Sequence, residues 1–199
     1  MRTKTKALVL ALCAVLLVVT TVFVTMAFLT SEDSVQNTFT VGEVTITLDE
    51  ADVKTDGTYE TNQNARVDAN EYKLIPGHTY IKDPTVHVDD DSEECWLFVK
   101  VENGLAAIEA NTSEELSIAA QMAAKGWTPV AEGSNIYAYS TKQAAGADVV
   151  VFDNFTISGT ADVSSYGSAK IVVTAYAVQA DGFNDAETAW SATFGKSSN

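Results

Sequence analysis

The chain has 199 residues with 12 Lys and Arg against 27 Asp and Glu, a formal net charge of −15, and only two His and two Cys. So acidic a surface repels nucleic acid and anionic membrane, which argues against both as partners of the soluble part. The length suits a single domain with a full core, and two cysteines are too few for a disulfide-stapled scaffold.

Residues 1–27 read as a secretory signal peptide. Arg2, Lys4 and Lys6 give a positive start, and Ala7 to Ala27 carries no charge. Thr25-Met26-Ala27 puts small residues three and one before a cut, so Ala27 and Phe28 flank the expected cleavage. The apolar run of about 20 residues also has the length to cross a bilayer of roughly 30 Å as a helix. An uncleaved anchor therefore stays open, with this segment as the only membrane contact. A lipoprotein anchor is disfavoured, because Cys13 follows Leu12 where lipid modification wants Gly or Ala. Removing residues 1–27 leaves nine bases against 27 acids, a net of −18. The remaining cysteine, Cys95, reads as a small buried apolar residue.

From Phe39 the dominant period is two. Val44, Ile46 and Leu48 share one face and Thr45 and Thr47 the other, a half-buried strand rich in β-branched residues. Ala51 to Asn70 is polar, has no apolar stripe and reads as a long surface loop. Pro76-Gly77 is a type II turn signal, and a strand follows over Pro84 to Val88. The acidic run Asp89 to Glu94 reads as a solvated turn, since it lacks the oxygen spacing and central Gly of a calcium loop. Cys95 to Glu102 is the strongest strand: Cys95, Leu97, Val99 and Val101 on one face, Trp96 and Phe98 beginning the other. Such a strand is expected to be central and covered.

Thr112-Ser113-Glu114-Glu115 is a capping-box pattern, so a helix is expected over about 113–125 with Thr112 as N-cap and Gly126 at the C-terminal end. Strands are then expected at Ile136 to Ser140, Val149 to Ile157 and Ala169 to Gln179, with one or two helical turns at Asp185 to Trp190. Roughly seven strands and one inserted helix in residues 28–199 predict an all-β, antiparallel β-sandwich.

Chemistry is sparse. No His-Glu-x-x-His helix, Gly-x-Ser-x-Gly elbow or phosphate-binding glycine loop is present. His78 and His87 are nine residues apart and would have to meet across a hairpin to hold a metal. His87 has Asp89 on its own face of the strand. Cys95 begins a central strand without an evident His partner. No catalytic residue, metal site or cofactor is expected.

Several blocks resemble one family. Ala27-Phe28-Leu29-Thr30 with Asn37-Thr38-Phe39-Thr40-Val41-Gly42 resembles the start of exported Gram-positive proteins carrying the SipW-type signal peptide, the TasA and camelysin (CalY) relatives. Leu74-Ile75-Pro76-Gly77, Lys82-Asp83-Pro84-Thr85-Val86, Cys95 to Asn103, Gly126-Trp127 and Ala175 to Ala180 look like the same family in the same order. The resemblance implies a jelly-roll-like sandwich, secretion and cleavage by a SipW-type signal peptidase. It also implies a subunit of an extracellular biofilm-matrix fibre or cell-surface assembly, with itself or a related matrix protein as partner. The N-terminal segment freed by the cut is then expected to add as a strand to the next subunit, with Phe28, Val35, Phe39 and Val41 as its apolar side chains. Pairing of that segment within its own subunit stays open. Camelysin-like relatives have been classed as metallopeptidases, and an extracellular metallopeptidase is the alternative. No residues here match a peptidase motif.

Overall fold

The structure, a computed structural model, describes residues 12–17 and 43–195. Residues 12–17 are helical, inside the apolar run read as an export signal. Among the described residues no helix is long and apolar enough to cross a membrane. Ala27, Phe28, Val35, Phe39 and Val41 lie outside the described residues.

Residues 43–195 are mostly β. The elements are β1 (Ile46–Ala51), β2 (Arg66–Val67), β3 (Thr79–Ile81), β4 (Thr85–Val88), β5 (Cys95–Asn103), α1 (Ile118–Ala124), β6 (Trp127–Pro129), β7 (Ile136–Tyr139), β8 (Asp148–Val150), β9 (Asn154–Thr156), β10 (Ile171–Gln179) and α2 (Ala186–Thr193). They form four-stranded sheets of order β2-β1-β4-β8 and β10-β5-β7-β6, plus the pair β3-β9. Every one of these pairings is antiparallel. Val86, Val88 and Val149 from the first sheet meet Cys95, Leu97, Val99 and Val101 from the second in one core, with Tyr80 and Phe155 from β3 and β9.

The alternation expected in β5 is what builds this arrangement. Its odd-numbered residues face the main core, while Trp96 and Phe98 face a second cluster with Val178, Ala180 and Ala189. Helix α2 covers that outer face, with the Trp190 ring centroid 5.0 Å from that of Phe98. β5 is central as expected, bounded by β10 and β7.

Three expectations need correction. The helix does not run over 113–125. Thr112 Oγ1 does accept from the Glu115 N–H (3.0 Å), but the bond closes only a local turn. The helix starts one turn later, where Ser117 Oγ accepts from the Ala120 N–H (3.3 Å) and Glu109 Oε1 from the Ile118 N–H (2.6 Å). Buried Gln121 then ties α1 to β9, donating to Asn154 O (2.9 Å) and accepting from the Asp153 N–H (3.0 Å). Gly126 ends the helix at φ +93°, as the pattern implied.

Val149 to Ile157 is not one strand. Val149 pairs with Val86 of β4, whereas Phe155 pairs with Tyr80 of β3. Between them Val151 and Phe152 are both fully buried, so the period of two breaks where the chain changes sheets.

The polar stretch 51–70 is also more than a surface loop. Its Ala51 and Val53 are buried, β2 pairs with the end of β1, and Val53 bridges Tyr59. Gly57 sits at φ +78°, where a Cβ would lie 2.7 Å from the Tyr80 Cα. Gly57→Ala combines left-handed strain with a clash against core backbone and should lower stability by about 2–4 kcal/mol. Gly133 (φ +72°) has nothing within 4 Å of its added Cβ, so Gly133→Ala should cost about 1–2 kcal/mol. Urea unfolding of both variants checks the contrast.

Candidate functional site

The two four-stranded sheets are not sealed along one side. Among the described residues β10 pairs only with β5, so its other edge carries no strand. Across from it, β1 pairs with β4 over Ile46 to Asp49, while β2 covers only Glu50 and Ala51. Between these edges lies a cleft of ≈ 960 Å³, with Leu48 on one side and Ile171 and Val173 on the other. Tyr72, Leu74, Phe155, Val163 and Tyr166 extend its apolar lining. These side chains pack against the main core, so the cleft is an opening into that core.

Polar groups form part of its floor. Glu50 and Lys82 are 4% and 8% exposed and make a salt bridge through Glu50 Oε2. Asn70 Nδ2 donates to Glu50 Oε1 (2.8 Å) and to Ala51 O (2.8 Å), and Asn70 Oδ1 accepts from the Val53 N–H (3.0 Å). The Tyr72 ring centroid lies 5.9 Å from Lys82 Nζ, and its hydroxyl donates to Ile81 O (3.1 Å). Burial, reinforced by the charges of Glu50 and Asp83, raises the Tyr72 phenol well above its ordinary range.

The outer face of the first sheet carries a separate network. Asp49 Oδ1 accepts from Arg66 Nε (2.7 Å) and contacts His87 Nε2 (2.9 Å), while His87 Nδ1 meets Asp148 Oδ1 (2.6 Å). Arg66 Nη1 also donates to Asp83 Oδ2 (2.8 Å). Partial burial on its own would lower His87. The hydrogen bonds to Asp49 and Asp148 outweigh it and raise the imidazole above its usual 6.5. Asp49 moves down: burial pushes it up, but the bonds to His87 and Arg66 prevail.

The two histidines do not come together at a shared ligand position. His78 Nε2 contacts Asp56 O (2.6 Å) and its ring sits edge-on to Tyr80 (4.7 Å), whereas His87 is held by Asp49 and Asp148. The carboxylate opposite His87 is Asp148, its direct cross-strand neighbour, and not Asp89. Asp89 instead starts the exposed acidic turn, where its N–H donates to Thr45 O (3.0 Å). Cys95 is fully buried, and its thiol is pushed up to about 11 by burial and then by the charge of Glu94. It is a core residue. Sequence reasoning did not single out Glu50, Asn70 and Lys82 as site residues, although Lys82 opens the block Lys82 to Val86 and Asn70 closes the polar stretch. The signal available was a charge at each of two strand ends, Glu50 after Leu48 and Lys82 after Ile81.

No family model, curated protein or solved structure matches the chain.

Because His87 titrates higher folded than unfolded, its ionic contribution is complete below about pH 6.5 and is lost as pH rises through the elevated folded value. The stability difference between wild type and His87→Gln should therefore shrink from pH 6 to pH 9. Denaturant midpoints measured across that range test this.

Proposed function

We propose that the chain is an exported, non-catalytic structural protein, a subunit of an extracellular matrix or cell-surface assembly joined by N-terminal strand exchange. The observation that carries this reading is the character of β10. Exposed edges are normally blunted with charge, proline or bulges, because unpaired backbone groups recruit strands from other chains. β10 reads Ile-Val-Val-Thr-Ala-Tyr-Ala-Val-Gln over nine residues, without one charge or proline. It borders a cleft whose apolar lining opens into the core. An edge of this kind suits an added strand, with main-chain hydrogen bonds giving affinity and the cleft taking alternate side chains.

The segment after the expected cut has the matching pattern. Val35, Phe39 and Val41 are all odd-numbered and fall on one face of an extended chain, with Phe28 on the other. A cut between Ala27 and Phe28 by a SipW-type peptidase would free that segment for a second copy or a related matrix protein. The resemblance to TasA and camelysin relatives supports the same reading, as does the jelly-roll-like sandwich into which we place the two sheets. Closure of the cleft by the chain's own segment would give a monomer instead.

Electron microscopy and sedimentation of the exported form starting at Phe28 test the proposal. Filaments or large oligomers are expected, and Phe39→Asp should abolish them. Assembly should also increase with salt, since subunits of net −18 repel one another. A protein that stays monomeric at high concentration, or that behaves identically with residues 1–27 retained, overturns strand exchange.

A further inference from the structure

Glu50 and Lys82 are charged side chains set where a β-core ordinarily takes aliphatic ones, and a buried ion pair contributes little stability over an apolar pair. The Lys82 ammonium has three N–H donors, yet among the described residues its hydrogen-bond partner is Glu50 alone. Asn70 completes the group. One carboxylate holds an amine on Oε2 and a carboxamide nitrogen on Oε1, so both nitrogens share a single acid–base group. On the far side of the carboxamide, the Val53 N–H points at Oδ1 (3.0 Å). The Tyr72 ring stands beside Nζ and is itself packed edge-on to Phe155 (5.2 Å).

These four groups are the parts of an acyl transfer. Lys82 is a nucleophile, Asn70 Cγ an electrophile, Glu50 a proton carrier touching both attacking and leaving nitrogens, and the Val53 N–H a donor to the oxygen that gains charge. We propose that Lys82 and Asn70 become joined by an intramolecular isopeptide bond, with Glu50 as the catalytic acid–base.

The balance is closed within the chain. Glu50 takes a proton from the Lys82 ammonium, and the free amine attacks Asn70 Cγ. The carbonyl oxygen gains negative charge against the Val53 N–H. Glu50 delivers the proton to Nδ2, the Cγ–Nδ2 bond breaks, and the Nζ–Cγ amide remains. The attacking nitrogen gives up its surplus proton through Glu50. One ammonium ion leaves, the Glu50 carboxylate is restored, and nothing is oxidised or reduced. A polar stretch rich in Asn and, among the described residues, a lone buried lysine thereby gain a common purpose. The inference does not depend on strand exchange.

Mass spectrometry of the full chain decides it. The wild-type protein should be lighter than its sequence mass by one ammonia. Its tryptic digest should contain a branched peptide joining residues 67–73, which carry Asn70, to residues 74–100, which carry an uncleaved Lys82. Glu50→Gln keeps the side-chain shape but cannot carry the proton, so it should restore the full mass and both linear peptides. Lys82→Arg should do the same. Should either variant fail to fold, the wild-type digest alone remains decisive. Linear 67–73 and 74–82 peptides from wild type at unchanged mass overturn the bond. So does an ammonia loss that maps to Asn103-Gly104, the other sequence position prone to lose it. The outcome is read independently of whether filaments form.

Discussion

Nine consecutive residues of β5 pair with β10, three of them pair again with β7, and both faces of the strand are covered over Cys95 to Val99. That constraint orders the molecule. Each of Leu97, Val99 and Phe98 contributes about 1.5–3 kcal/mol by full burial, more than any surface ion pair here. The alternation of β5 then fixes which cluster each neighbour joins. Its inner row requires the first sheet opposite, and its outer row requires α2. Slipping β10 by one residue would exchange the two rows on that strand, so the register is held by burial on both sides.

The same geometry explains why one side stays open. β10 lies at the edge of its sheet, and Ile171, Val173, Ala175 and Ala177 face the core only half-buried. On the opposite layer β1 is bordered by β4 and, at its last two residues, by β2. The seam between these strands is therefore lined with apolar groups that the described residues do not cover. The high negative charge of the chain resists indiscriminate association through that seam.

Much of this was legible in the sequence, and what was not shares one cause. Strands β4, β5, β7 and β10 are visible because a period of two and β-branched residues act locally. β2 and β6, with two and three residues, are too short to show a period, and β3 exists only through β9, a partner far along the chain. The capping pattern at Thr112 is locally real, as its 3.0 Å bond to the Glu115 N–H shows, yet Glu109 and Ser117 fix the helix start through contacts the local pattern omits. His87 illustrates the same limit. Its neighbour on the strand is Asp89, but cross-strand pairing brings Asp148 from 61 residues away. The polar character of 51–70 correctly marks an irregular segment, while hiding that Asn70 turns inward.

That inward turn links the cleft's floor to its wall. Asn70 holds the backbone of Ala51 and Val53 on one side and the Glu50–Lys82 pair on the other, and Tyr72 and Leu74 follow it along the cleft lining. Hydrogen bonds alone leave this wall free to open locally, since each contributes about 0.5–1.5 kcal/mol net. A covalent tie from residue 70 to residue 82 would enclose β3 and remove most of the conformations in which the wall swings away. A strand entering the cleft would then meet a surface already in its binding shape, and less of its interaction energy would go into ordering the receiver. The two proposals are physically separate. A tie at Glu50 and Lys82 would give the open side of the sandwich a rigid boundary without requiring an aliphatic core there.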